Sequence, residues 1–417
     1  MLLGVGKTAV LAKNLPTADF GILAIVVNFY GFFGSILTLR VGDLVYKYFP
    51  LLSSQRDPVA LRGVLLLTLC LCALSGVGMF SFAVLASPAL GLRLYHNDEV
   101  GRLLLIYAPT VAFSSFQGFC IPVLRLHNRY TYAVLPRVLE NFLVLVGSLV
   151  YFRSSSRSDL SQLVAIMALA NSAAMGVPLL LAIRETKEIL RGQDSTLRDA
   201  AEQLKRIRRD LSSTFLQISV TKYLRLIFSP GDTFLMKIFS SPQHVAYYTF
   251  ARTLMTPFSA AEGAAAAALF PEITSMWARS DRGGVRKLLM RYVSSTAVGS
   301  ALTLLLLYLG AQPLVLLLAK ADYVEAIPIL WLFALSAAVS LSAAGFYPVA
   351  LCAQRIHWLN LANVLNCLML ALFLAVERHQ LTGVAMAGIQ LVAIVLRRGI
   401  ANALVVRSAL RPVDPPS

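Results

Sequence analysis

The chain has 417 residues, 57% of them hydrophobic and only 14% charged, with a formal net charge of +16 and a mean hydropathy of +0.70. A soluble domain carries about a quarter charged residues, so the composition excludes a soluble globular protein and describes an integral membrane protein. The basic excess would raise nucleic acid as a partner on a soluble chain. Here it falls mostly between apolar runs, so membrane topology accounts for it and no nucleic-acid partner is expected.

In chain order, the first feature is Gly4-Val5-Gly6-Lys7-Thr8, which looks like the tail of a nucleotide-binding P-loop. That motif needs glycine at position 1, which is Met, and a strand before it, so no nucleotide site is expected. Long apolar runs follow, such as 20–39, 64–86 and 303–319. A run of roughly 20 apolar residues crosses the hydrocarbon core as a helix. The runs place spans near 1–14, 19–40, 62–87, 102–124, 132–152, 160–183, 212–238, 245–269, 290–318, 326–350, 358–376 and 382–405. With the N-terminus in the cytoplasm, the cytoplasmic loops and C-terminal tail hold more than twice as many Lys and Arg as the opposite side. That is the orientation the positive-inside rule selects, and it leaves both termini cytoplasmic. The polar stretch 184–210 reads as a basic cytoplasmic linker helix between residues 1–183 and 211–417. Contact with anionic lipid and simple solvation are both open for it.

Cys70, Cys72, Cys120, Cys352 and Cys367 all lie in apolar runs and read as buried free thiols. The five histidines are scattered. No metal site, cofactor site or catalytic constellation can be assembled, and an enzyme is not expected.

Shifting the chain against itself by 226 residues superposes Pro122 on Pro348, Arg129 on Arg355, Ser114 on Ser340, and Ser54 and Arg56 on Ser280 and Arg282. Leu and Val matches arise by chance in apolar sequence, so the Pro, Arg and loop matches carry the duplication. Six spans separate equivalent positions, so the halves share one orientation. This is a repeat plan of secondary transporters, with the substrate site between halves near the midplane. The same shift lays Pro16 on Pro242, making the pseudo-P-loop the second half of a transmembrane helix. Residue 1 then corresponds to residue 227, inside span seven, so the first helix is expected to be truncated by about 15 residues, or about 22 Å at 1.5 Å per residue.

The runs AKNLPTADFGILA (12–24), GDTFLMKIFSSPQHVAYYTFARTLMTPF (231–258), ALFPEITSMWARSDRGGVRKLLMRYVSSTA (268–297), ADYVEAIPILWLFALS (321–336), CAQRIHWLNLANVLNCLMLAL (352–372) and LTGVAMAGIQLVAIVLRRGI (381–400) carry a family pattern. They resemble the Wzx-type polysaccharide and O-antigen flippases of the multidrug/oligosaccharidyl-lipid/polysaccharide (MOP) exporter superfamily. The resemblance implies an all-α membrane protein of about twelve transmembrane helices, in two six-helix bundles around a central cavity. It further implies alternating access in the bacterial cytoplasmic (inner) membrane, moving an undecaprenyl-pyrophosphate-linked oligosaccharide. Expected partners are that lipid-linked oligosaccharide, membrane lipids, H⁺ or Na⁺, and a polysaccharide polymerase complex.

Ionisable residues inside spans are costly and usually face a bundle interior or a water-filled cavity. Lys222, Arg225 and Asp232 share an arc of about 80° at 100° per residue, and Arg137, Glu140 and Asn141 share a face of span five. Arg binds pyrophosphate bidentately and Lys binds it as a point charge. Arg137, Lys222, Arg225 and Arg252 are therefore candidate ligands of the pyrophosphate–sugar head, with Asp232 or Glu140 carrying a coupling cation or proton. Internal ion pairs, Arg137 with Glu140 and Arg225 with Asp232, are the competing reading. Arg40 and the Arg397-Arg398 pair are expected to snorkel at span ends. Rival functions are a cation-coupled multidrug exporter, a lipid II flippase, and a membrane-embedded polymerase or ligase. Surplus intramembrane basic charge argues against the first. The expected chain end at 417, without two further spans, argues against the second. Short outward loops argue against the third.

Overall fold

The computed structural model describes residues 2–37, 58–93, 98–127, 129–154, 159–190, 240–353, 356–376 and 382–409, with Val45, Phe49, Asp232 and Met236. Among these residues every regular element is a helix. The elements are α1 (Leu2–Asn14), α2 (Thr17–Leu37), α3 (Pro58–Arg93), α4 (Asp98–Ser114), α5 (Gln117–Leu126), α6 (Tyr130–Ser154) and α7 (Leu160–Leu190). After residue 240 come α8 (Pro242–Leu254), α9 (Thr256–Ala278), α10 (Arg282–Leu318), a 3-10 turn (Ala321–Ala326), α11 (Ile327–Ser342), α12 (Phe346–Cys352), α13 (Ile356–Val376) and α14 (Gly383–Ala409). Seven helical stretches among the described residues are long and apolar enough to cross a membrane, and Leu361–Phe373 is a shorter apolar one. Expected span seven lies outside the described residues apart from Asp232 and Met236.

The 226-residue shift recurs in the helix boundaries. It carries α3 onto α10, α6 onto α13, and the broken pair α4–α5 onto the broken pair α11–α12. Each of the two broken spans read as one continuous helix in the hydropathy pattern. The breaks sit at Ser115–Phe116 and Ala343–Gly345, just before Pro122 and Pro348. Pro348 is the third residue of α12, where its missing N–H costs no helical bond, and Pro122 lies inside α5. Side chains add bonds to backbone carbonyls at the breaks: Ser115 Oγ donates to the Ala112 carbonyl at 2.8 Å, and Tyr292 Oη donates at 2.7 Å to the Leu341 carbonyl, which also accepts from Ala344 N. Pro88, Pro109, Pro136, Pro178 and Pro313 sit within continuous helices.

The chain packs as two compact units, residues 22–234 and residues 1–21 with 235–417. In the first, a core of Leu61, Val64, Leu65, Cys72, Phe119, Cys120, Val123 and Leu124 joins α3 to α5. In the second, Leu269, Ile273, Val285, Leu289, Val349 and Ala350 join α9, α10 and α12. Val123-Leu124 and Val349-Ala350 are equivalent under the repeat, so both cores use the same positions. All five cysteines are free thiols; Cys72 and Cys120 are buried, Cys352 and Cys367 half-buried, and Cys70 is exposed on the outer face of α3. The reading of every thiol as buried is thus corrected for Cys70, since an apolar run also supplies the lipid-facing side of a helix.

Residues 2–21, which precede the first bundle in sequence order, make their described packing with the later part of the chain. α1 lies against α8 and α10. Pro16 turns the chain between α1 and α2, and Lys320 Nζ donates to the Leu15 carbonyl at 2.8 Å. Thr17 Oγ1 donates to Asp322 at 3.5 Å, and Phe20 meets the Tyr323 ring edge-on with centroids 6.0 Å apart. Tyr323 also packs on Tyr247 and Phe250. α7 runs through Arg184–Leu190 without interruption, so the start of the basic stretch continues the span-six helix.

Small residues let membrane helices approach backbone to backbone, and Gly21 is the tightest such point: a Cβ there would run into the Pro242 carbonyl. Gly21→Ala is expected to cost about 1–3 kcal/mol, measured as a lower thermal midpoint of the detergent-solubilised protein. Gly176→Ala, where a Cβ meets nothing within 4 Å, is expected to leave the midpoint unchanged or slightly raised.

Candidate functional site

Polar groups inside the unit of residues 22–234 gather where α2, α4, α6 and α7 meet. Tyr107 on α4 is buried, and its Oη accepts from Asn171 Nδ2 on α7 at 2.6 Å. Tyr30 on α2 stacks on it with centroids 5.5 Å apart, and its hydroxyl donates to the Leu104 carbonyl. Glu140 on α6 lies within electrostatic reach of the Tyr107 hydroxyl. Two buried oxygens here, Asn171 Oδ1 and Thr110 Oγ1, have no hydrogen-bond partner. An unpaired buried polar atom costs about 1–3 kcal/mol. The cluster is therefore a place where a proton or small cation would gain ligands.

In the other unit the central charged contact joins α9 to α14. Arg398 donates through Nη2 to Glu262 Oε1, both side chains mostly covered. This corrects the expectation that Arg398 snorkels at a span end. α14 continues to Ala409, so Arg398 sits well inside the helix and is neutralised by pairing instead. Neutral polar side chains are also buried in this unit: Ser336, Ser340, Asn363, Asn366 and Gln390.

Of the expected site residues, Arg137 is on α6 and exposed, and Glu140 is one turn further and half-buried. The structure forms no ion pair between them; Asn141 Nδ2 instead donates to the Arg137 carbonyl at 2.7 Å. Arg252 is half-buried near the end of α8. Asp232 is fully buried. Lys222 and Arg225 lie outside the described residues, as does Arg40. The structure thus puts Glu140 within electrostatic reach of Tyr107, which Asn171 bonds, a pair that a search for charged residues alone passed over. The available signal was a Tyr and an Asn inside otherwise apolar runs, IYAPT and ALANSA. Among the described residues no group of His, Cys, Asp and Glu could hold a metal ion.

Removing one member of a covered ion pair strands the other. Glu262→Gln is expected to cost about 3 kcal/mol, read in the thermal midpoint of the purified protein. The exchanged pair Glu262→Arg with Arg398→Glu is expected to recover most of the loss.

Comparison with known proteins places this geometry in a family. A family model described as "Polysaccharide biosynthesis protein" matches residues 1–277. No curated protein sequence matches. Among solved structures, an inward-facing multidrug resistance MATE family transporter of the MOP superfamily is similar with a TM-score of 0.74 and 15% identity, over 97% of this chain and 94% of that one. The lipid II flippase MurJ in an inward closed conformation is similar with a TM-score of 0.68 and 13% identity, over 98% and 85%. A MOP superfamily transporter from Pyrococcus furiosus has a TM-score of 0.55 and 16% identity, over 99% and 93%. The fold is that of the MOP transporters, an all-helical integral membrane architecture, and the chain belongs to the polysaccharide biosynthesis protein family.

Proposed function

We propose that the protein translocates an undecaprenyl-pyrophosphate-linked oligosaccharide across the bacterial cytoplasmic membrane by alternating access, feeding polysaccharide assembly by a polymerase complex. The observation that carries this reading is the polysaccharide biosynthesis family match over residues 1–277, on a fold shared by membrane flippases and transporters. Charge supports it. The spans hold more basic than acidic residues, and Glu262 is already spent on Arg398, which suits an anionic head group better than a cationic drug. The Pyrococcus furiosus neighbour is described as having a binding pocket of reverse polarity that suggests a different function, so pocket charge varies within this fold.

In this reading Arg137, Lys222, Arg225 and Arg252 bind the pyrophosphate–sugar head, the Arg side chains bidentately. Glu140 or Asp232 carries the coupling H⁺ or Na⁺. Support for Glu140 is its electrostatic reach to Tyr107, in a cluster with two unbonded buried oxygens, and the lack of an ion pair to Arg137. Support for Asp232 is its complete burial. Both halves of the repeat contribute, joined through residues 184–210, with both termini on the cytoplasmic side.

Deleting the gene and labelling sugars leaflet by leaflet, with mass spectrometry of the lipid-linked pool, tests the proposal. Complete repeat units stalled on the cytoplasmic side are expected. An unchanged pool with altered drug or cation sensitivity would transfer the assignment to a cation-coupled exporter. Arg225→Ala is expected to abolish complementation at normal protein abundance, and full complementation would remove it from the site. Glu140→Gln is expected to slow flipping at least about tenfold, about 1.4 kcal/mol, and to flatten its dependence on pH or Na⁺.

A further inference from the structure

The outer face of α10 carries a feature that the flipping reaction does not use. Between α10 and α11 lies a cavity of about 290 Å³, walled by Gly299, Ser300 and Thr303 on one side and by Ala334, Ala337 and Ala338 on the other, with Met255 and Phe258 from the α8–α9 junction closing its back. The space exists because these side chains are small, and at Gly299 a Cβ would meet nothing within 4 Å. Three of its four hydroxyl side chains, those of Ser295, Thr296 and Thr303, are bonded to their own helix. Ser295 donates to the Tyr292 carbonyl at 2.9 Å, Thr296 to the same carbonyl at 2.8 Å, and Thr303 to the Gly299 carbonyl at 2.9 Å. The wall therefore presents mainly methyl and methylene groups, with Ser300 Oγ left unbonded, and suits a hydrocarbon chain better than a sugar. Around it α10 exposes Val298, Leu302, Leu305, Leu306 and Leu309, so the groove opens to the hydrocarbon of the bilayer.

Length and charge identify the occupant. From Ser295 to Leu307 a helix rises about 18 Å, close to the depth of one leaflet, which is half of a core about 30 Å thick. At the head of the groove, one and two turns before Ser295 on the same helical row, stand Arg291 and Lys287, with Arg286 beside them, all exposed. No acidic residue occurs from 282 to 319. Asp281, just before, is committed to capping α10 through Gly284 N at 2.7 Å. Arg282 is stacked over Trp277, 3.2 Å from the ring centroid, and Arg291 is the last charged residue before the uncharged run 292–319, which puts the membrane–water boundary near it. A cationic mouth at the interface, followed by an apolar slot one leaflet deep, complements a phosphate joined to an acyl chain.

We propose that the α10–α11 groove is a binding site for an anionic membrane phospholipid, one acyl chain lying in the slot and its phosphate held by Lys287 and Arg291. The site is separate from the transported substrate and does not rest on its identity. The slot takes one straight chain of a single leaflet, which fits a phospholipid better than a longer polyprenyl chain.

The test is native mass spectrometry of the full-length protein released from nanodiscs of equal phosphatidylglycerol and phosphatidylcholine. The wild type is expected to retain one phosphatidylglycerol in preference to phosphatidylcholine. Each basic residue at an anionic surface contributes about 1 kcal/mol, so Lys287→Gln with Arg291→Gln is expected to lower that preference about tenfold or more. Gly299→Leu fills the slot and is expected to abolish retention of either lipid. Gly176→Leu, at an equally open position on α7, is expected to retain it. Equal retention of the two lipids by the wild type, or unchanged retention in Gly299→Leu, overturns the site. Retention of an added polyprenyl phosphate in place of phosphatidylglycerol overturns the choice of occupant. If Gly299→Leu does not fold, the Lys287/Arg291 variant decides alone.

Discussion

In the hydrocarbon core of a bilayer no water is present to pair with a backbone N–H or C=O, and everything else in this protein follows from that scarcity. Helices satisfy the main chain internally, and the polar side chains inside them mostly do the same. Asn28, Thr68, Thr186 and Thr253 each donate to the carbonyl four residues earlier on their own helix. Such bonds leave polar residue types in the spans without asking a neighbouring helix for a partner. Where the ladder breaks, at Ser115–Phe116 and Ala343–Gly345, serine and tyrosine hydroxyls donate to nearby backbone carbonyls. Between helices there is little hydrophobic driving force, because lipid is as apolar as Leu, so close packing by small residues takes over.

Against that background, polar atoms that look outward from their own helix stand out, because each must be satisfied by another element or by a ligand. Arg398 finds Glu262. Asn171 finds Tyr107 with one side of its amide and leaves the other side open. The first arrangement is closed and serves stability. The second is incomplete and is the kind of place where a coupling proton or cation changes the balance between conformations, since only a group that binds two states differently can shift them. The same logic separates the groove on α10, where the hydroxyls of Ser295, Thr296 and Thr303 are satisfied within their own helix, so that it suits a hydrocarbon chain.

Much of the fold was legible in the sequence because bilayer thickness converts directly into run length. The 226-residue repeat was legible too, since Pro122 and Pro348 are structural punctuation that drift does not easily erase. What hydropathy could not show was that each of those spans is divided a few residues before its proline, because the residues on both sides of the break are equally apolar. The site was less legible. Reading only for charge found Glu140 but not Tyr107 and Asn171, which are neutral and come from helices distant in sequence. It also put Arg398 at a span end, because a partner 136 residues away leaves no local trace. Arg137 and Glu140, one turn apart, invited a pairing that the structure does not form, since their side chains have other surroundings.

The corner between α1 and α2 has a consequence for how the protein is made. Its anchors are Lys320, Asp322 and Tyr323, about 300 residues further along the chain. At about 5–20 residues per second during synthesis, the first two helices spend on the order of 15–60 s in the membrane before those anchors exist. During that wait the Leu15 carbonyl and the Thr17 hydroxyl lack their final partners, and Gly21 lacks the close backbone it is shaped to meet. These two helices thus reach their native packing late in synthesis, and in the interval they are open to the quality-control proteases of the membrane.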